Sequence, residues 1–205
     1  MKKVITFILF LCAVLLLFSA QTPSDAAKAQ LNHFLQSIMP EQLDRFGFSN
    51  PAELSQVKIE PCFRVESLSE TEINQWNEQK TSDNVFVSDS LHLFPLSVKN
   101  QFRCMLAVDY TKGEWKAVSI GYRELARKMD LIRTAWAGSE IKIIRVYPLQ
   151  RYYYVLPNAP RQNCTLIRFK QGEGKGISAD YLQLTPISEA MTEMREAIKG
   201  GNHEN

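Results

Sequence analysis

Residues 91–121 read LHLFPLSVKNQFRCMLAVDYTKGEWKAVSIG. Residues 91–98 and 101–110 read as strands, the second with an apolar face of period 2. Lys99-Asn100 between them predicts a tight hairpin. Thr111-Lys112-Gly113 predicts a second turn, and 114–121 a third strand. The stretch therefore reads as a three-stranded antiparallel meander. Phe102, Cys104, Leu106 and Val108 share one face of the middle strand, which predicts a buried packing role for Cys104.

Downstream, 122–137 is the clearest helix. Leu125, Met129, Ile132 and Trp136 repeat at helical spacing, and Gly138 stops it. Residues 141–147 and 152–156 are apolar on both faces, as central strands are. A loop at 157–163, a strand at 164–169, a Gly-rich loop at 171–176 and a short strand at 181–184 follow. Thr185-Pro186 then opens a helix at 187–198, with Ile187, Met191, Met194 and Ile198 as its apolar stripe.

Upstream, 57–68 reads as one strand. Across it Lys58, Glu60, Cys62, Arg64 and Glu66 share a polar face. Ser69-Glu70-Thr71-Glu72 fits a capping box and predicts a helix over 70–79. A helix over 23–39, capped by Ser24 or Asp25, ends at Pro40. A short helix at 40–47 begins with Pro and ends with Gly. Asn50 is the expected cap of a further turn. The sum is α+β: an antiparallel sheet with helices packed on it.

The first twenty residues have a different character. Met1-Lys2-Lys3 precedes fifteen residues, 4–18, that carry no charge, and Ser19-Ala20-Gln21-Thr22-Pro23 breaks the run. This is the layout of a secretory signal. Phe18 is a poor fit near a cleavage site at Ala20, and 4–20 just reaches the length of a spanning helix. An uncleaved anchor is therefore the alternative, and it would be the chain's only membrane contact. The reading is a signal at 1–20, one domain at 21–199 and a disordered tail at 200–205, placed in the periplasm, on the cell surface or in the medium.

Composition agrees with a folded domain. The 205 residues are 45% hydrophobic and 22% charged, which excludes an intrinsically disordered chain. Setting Lys2 and Lys3 aside leaves 22 basic and 22 acidic side chains. A neutral domain lacks the footprint of a nucleic-acid binder. The signs are unevenly spread: 41–90 carries ten acidic and four basic groups, and 140–175 seven basic and two acidic. The two segments face each other or are both simply solvated, as charge runs usually are; the sharper alternative is that the second forms a basic surface for an acidic ligand.

Chemistry-bearing motifs are few. The three histidines, His33, His92 and His203, have no metal-ligand spacing. Neither a metal nor a cofactor is expected. Residues 172–178 lack the spacing of a phosphate loop. The exported part holds Cys62, Cys104 and Cys164. An oxidising compartment permits a bridge, for which Cys62 and Cys164 are the candidates. Either thiol with His92, which follows Asp89 and Ser90, would be the pair for a cysteine-dependent enzyme. Arg151-Tyr152-Tyr153-Tyr154 is the most unusual local run, because Tyr and Arg supply large, rigid contacts with polar tips. Arg151, Tyr152, Tyr154 and Arg168 are the candidate ligand-binding residues. The alternative is a sheet covered on both faces, with tyrosine hydroxyls at its rim.

Leu43-Asp44-Arg45-Phe46-Gly47-Phe48, Phe63-Arg64-Val65, Met105-Leu106-Ala107-Val108 and the segment from Gly113-Glu114-Trp115-Lys116 to Gly121 resemble uncharacterised exported bacterial proteins. The G-x-W-K hairpin is similar to the edges of cystatin-like α+β folds. The resemblance implies a helix-on-sheet exported domain with Trp115 flat on the sheet, and it supplies no catalytic residue. The expected function is a non-enzymatic domain that binds a protein, peptide or glycan at the cell envelope. The cysteine-dependent enzyme is one alternative, and an inhibitor-like or pro-segment module another.

Overall fold

The computed structural model describes residues 21–77, 86–156, 165–169 and 182–201; for 165–169, 182 and 201 the backbone path alone is described. The helices are α1 (Pro23–Gln36), α2 (Glu70–Gln75), α3 (Arg123–Ala135) and α4 (Ile187–Gly201), with 3-10 turns at Pro40–Phe46, Pro51–Gln56 and Tyr147–Leu149. The strands are β1 (Lys58–Ile59), β2 (Phe63–Leu68), β3 (Val87–Val98), β4 (Gln101–Thr111), β5 (Glu114–Gly121), β6 (Lys142–Val146), β7 (Arg151–Leu156), β8 (Thr165–Phe169) and β9 (Leu182–Pro186). They form one sheet in the order β5-β4-β3-β2-β6-β7-β8-β9, with β1 beside β3.

The α+β class and the β3-β4-β5 meander stand as read. Lys99 and Asn100 both take positive φ, 52° and 63°, the conformation of a two-residue turn that matches strand twist. The sheet itself is mixed. Every pairing is antiparallel except β2 with β6, where Val65 lies beside Ile143 in a parallel register. This junction joins the meander to the β6-to-β9 half.

Three apolar cores follow from the alternation. In β3, Leu93 faces α3, while Phe94 and Leu96 face α1. In β6, Ile143 joins the α3 core, while Ile144 and Val146 meet α2 and α4. One face thus carries α1 over β3–β5 and α2 with α4 over β6–β7, and the other carries α3. A central sheet buried on both sides explains the two-sided apolarity of 141–147 and 152–156. Cys104 is fully buried, as expected, and desolvation pushes its thiol up to about 12.

Several local expectations are corrected. The strand expected over 57–68 is interrupted at Pro61, which has no N–H for the ladder, leaving β1 and β2 as separate pieces. The cap of α1 is Thr22, whose hydroxyl accepts from the Asp25 N–H at 3.2 Å; Asp25 Oδ2 accepts in return from the Thr22 N–H at 3.1 Å. The Thr22 hydroxyl, donating to Asp25 Oδ2 at 2.7 Å, and the Thr22 N–H together hold the Asp25 carboxyl below its ordinary range. Asn50 makes no side-chain cap bond. Glu53 instead accepts the Ser49 N–H at 2.8 Å. Tyr122 is not helical: it is the N-cap of α3, with φ 57°. Gly200 and Gly201 belong to α4, so the helix extends past the expected 198. Residues 202–205 lie outside the described residues.

Gly47 has a demanding position. Its φ is +80°, and a Cβ there would lie 2.6 Å from the Arg103 carbonyl oxygen. Only glycine lets the turn after the first 3-10 segment lie against the backbone of β4.

Candidate functional site

Strand β7 carries the Arg151–Tyr154 run, and alternation divides its tyrosines between two cores. Tyr154 is only 4% exposed and belongs to the α3 core, so it serves packing more than surface recognition. Desolvation raises its hydroxyl pKa. Tyr153 points the other way and packs against the α4 core. Tyr152 is half-buried, and Arg151 is exposed. A cleft of about 510 Å³ runs along this part of β7 between Lys128 of α3 and Glu193 of α4. Arg168 lies in β8 opposite Gln183, and its side chain lies outside the described ones.

Tyr152 is also the end of a chain of contacts across the sheet surface. Its register partner in β6 is Arg145. The Arg145 guanidinium lies 4.6 Å from the centre of the Tyr147 ring and 6.0 Å from that of Tyr152. Both distances are within the range of cation–π attraction. The Tyr147 hydroxyl donates to Asp89 Oδ2 at 2.7 Å. On the other side, the Tyr122 ring meets Tyr152 edge-to-face at 6.3 Å. The result is a strip Tyr122–Tyr152–Arg145–Tyr147–Asp89. Tyr122 and Tyr147 are 40% and 42% exposed, so the strip is open to a partner.

Electrostatics follow from this arrangement. The bond to Asp89 raises the Tyr147 hydroxyl pKa, because loss of the proton would place two anions together. Burial raises that of Tyr152. Both hydroxyls stay protonated at neutral pH, with the Tyr147 proton donated to Asp89. The left-handed backbone of Tyr122 costs about 1–2 kcal/mol for a bulky residue. Strain of this kind concentrates where side chains must be aimed.

Lys142 pairs with Glu66 at 3.1 Å, an ion pair between the basic segment and the acidic one, and the neutral Tyr147 hydroxyl adds a hydrogen bond to Asp89.

The sequence reading singled out Tyr152 but missed Arg145, Tyr147 and Tyr122 as members of the strip. A signal was present. Placing the turn at residues 147–150 puts 145 opposite 152 by simple counting, as in any hairpin.

The cysteine–histidine pair lacks support. Cys62 is exposed and unbridged. Cys164 lies outside the described residues, as does the proposed bridge to it. His92 Nδ1 bonds the Ser90 carbonyl at 2.9 Å, and its ring meets Trp115 edge-on at 5.0 Å. The Ser90 hydroxyl donates to Asp109 Oδ1 at 2.5 Å, so it does not address His92 as a nucleophile addresses its base. Desolvation raises the Cys62 pKa above its ordinary 9.0, the opposite of an activated thiol. Iodoacetamide labelling of Cys62 is therefore expected to climb steadily with pH through 9 and beyond. A labelling rate already at plateau below pH 7 would restore the enzyme reading. Among the described residues, no group of three His, Cys, Asp or Glu side chains converges as a metal site would. Nor is any described helix long and apolar enough to cross a membrane.

Comparison of the chain with protein-family models, curated proteins and solved structures gives no match.

Proposed function

We propose that this chain is an exported, non-enzymatic recognition domain of the cell envelope, binding a protein, peptide or glycan through the Tyr122–Tyr152–Arg145–Tyr147 strip and the adjoining Arg151. The leader at 1–20 supports export, and the strip supports recognition. The observation that carries the reading is the Arg145 guanidinium held between two tyrosine rings at a partly open surface. Tyrosine and arginine side chains fixed by their neighbours lose little freedom on binding, which is why they dominate interface hot spots.

The test uses the purified protein against immobilised envelope glycans and envelope protein extracts. Tyr152→Ala and Arg145→Ala are each expected to weaken retention by about 10-fold to 30-fold, the range for a hot-spot residue. Arg151→Ala should weaken it less, because that side chain is exposed at the margin. Retention equal to that of the parent protein in all three variants would overturn the reading.

A further inference from the structure

A second, separate site lies on the opposite flank of α3. Arg123 and Arg127 stand one helical turn apart on α3, and Arg103 approaches from β4. Together with Asp130, Gly47 and Phe102 they line a recess of about 260 Å³. Like charges at i and i+4 of a helix oppose its formation, and a third guanidinium across the recess adds to the repulsion. Two of the three are held by carboxylates outside the lining.

Glu53 binds Arg103 at 2.9 Å from outside the recess, and Asp44 binds Arg123 at 3.1 Å. Asp130, the one carboxylate among the described lining residues, is engaged by Arg133 at 2.7 Å. The Arg133 guanidinium is itself stacked 4.3 Å from the Phe102 ring centre. Finally, the Nε of Arg103 is buried with no hydrogen-bond partner, a donor left unsatisfied inside an otherwise bonded network.

We propose that this recess binds a phosphate or sulfate group. Guanidinium forks match the oxygens of such groups in pairs. The recess is smaller than pockets that enclose whole drug-sized ligands, which run from about 300 Å³ upward, so it suits a single charged group. That group is either a free ion or the terminus of a larger molecule, such as an anionic lipid head. The site is independent of the tyrosine strip.

The test is thermal unfolding and calorimetry of the purified protein with sodium phosphate and sodium sulfate, set against sodium chloride at equal ionic strength. Sulfate and phosphate stabilise proteins generally, so the diagnostic is saturation and dependence on arginine. Phosphate is expected to raise the melting temperature along a saturable curve. Arg123→Gln and Arg127→Gln should each weaken its apparent affinity at least tenfold, with melting in chloride little changed. Arg103→Gln alone would leave Glu53 unpaired and threaten the fold, so the third variant is the double Glu53→Gln/Arg103→Gln. Co-sedimentation with phosphatidylglycerol vesicles, against phosphatidylcholine, separates the sources. Arginine-dependent binding to the first alone supports a lipid head, and phosphate saturation without vesicle binding supports a free ion. A melting temperature that follows ionic strength alone, or phosphate binding undiminished in both single variants, would overturn the site.

Discussion

Glu53→Ala is expected to destabilise the protein by about 3–5 kcal/mol, the cost of breaking a buried ion pair by deleting one partner. Glu53 is 6% exposed, and both of its oxygens are used. One accepts from Arg103 Nη2 at 2.9 Å, and the other from the Ser49 N–H at 2.8 Å. Alanine removes both acceptors and strands a guanidinium whose Nε already lacks a partner. The Arg103 bond ties the 3-10 segment at 51–56 to β4, so the first core loosens with it. The measurement is urea unfolding. With a slope of about 2 kcal/mol/M, the midpoint should fall by about 1.5–2.5 M. Glu53→Ala/Arg103→Ala should cost less than the sum of its single variants, because the double change leaves no charge unpaired. A loss under about 1 kcal/mol would show that the pair behaves as an exposed one.

Ile143→Ala should cost about 2–5 kcal/mol. Ile143 is fully buried, sits beside Val65 in the parallel ladder and fills the core beneath α3. Truncation opens a cavity at the junction between the meander and the β6-to-β9 half. Surrounding strands are held by ladders on both sides, so the cavity cannot collapse fully. Val118→Ala is the control, since Val118 is 47% exposed on β5 and should shift stability by less than about 0.5 kcal/mol. Equal effects from the two variants would mean that the β2–β6 junction is not part of the cooperative core.

Much of the fold was legible because its signals are local. Lys99-Asn100 declares a hairpin through the backbone of two residues. Leu125, Met129 and Ile132 declare a buried helix face through spacing alone, and all three are buried. The candidate site was only half legible. The Arg151–Tyr154 run stands out in the sequence, but Tyr152 and Tyr154 share one face, and their sorting into a half-buried and a buried residue depends on how far the α3 core extends along it. Arg145 is marked only by its count from the turn, and it and Tyr147 join the site because a three-residue 3-10 turn folds β6 back onto β7.

Residue order by itself determined the strand and helix periods, the meander and the burial of Cys104, because each depends on side chains within a few positions of one another. Tertiary structure alone decided the parallel docking of β2 on β6, the contact between Tyr147 and Asp89, 58 positions apart, and the pairing of Arg103 with Glu53, 50 positions apart. Such contacts form only where separate apolar faces compete for the same cover. Their outcome is a property of the whole packed chain, and no short stretch of it records the result.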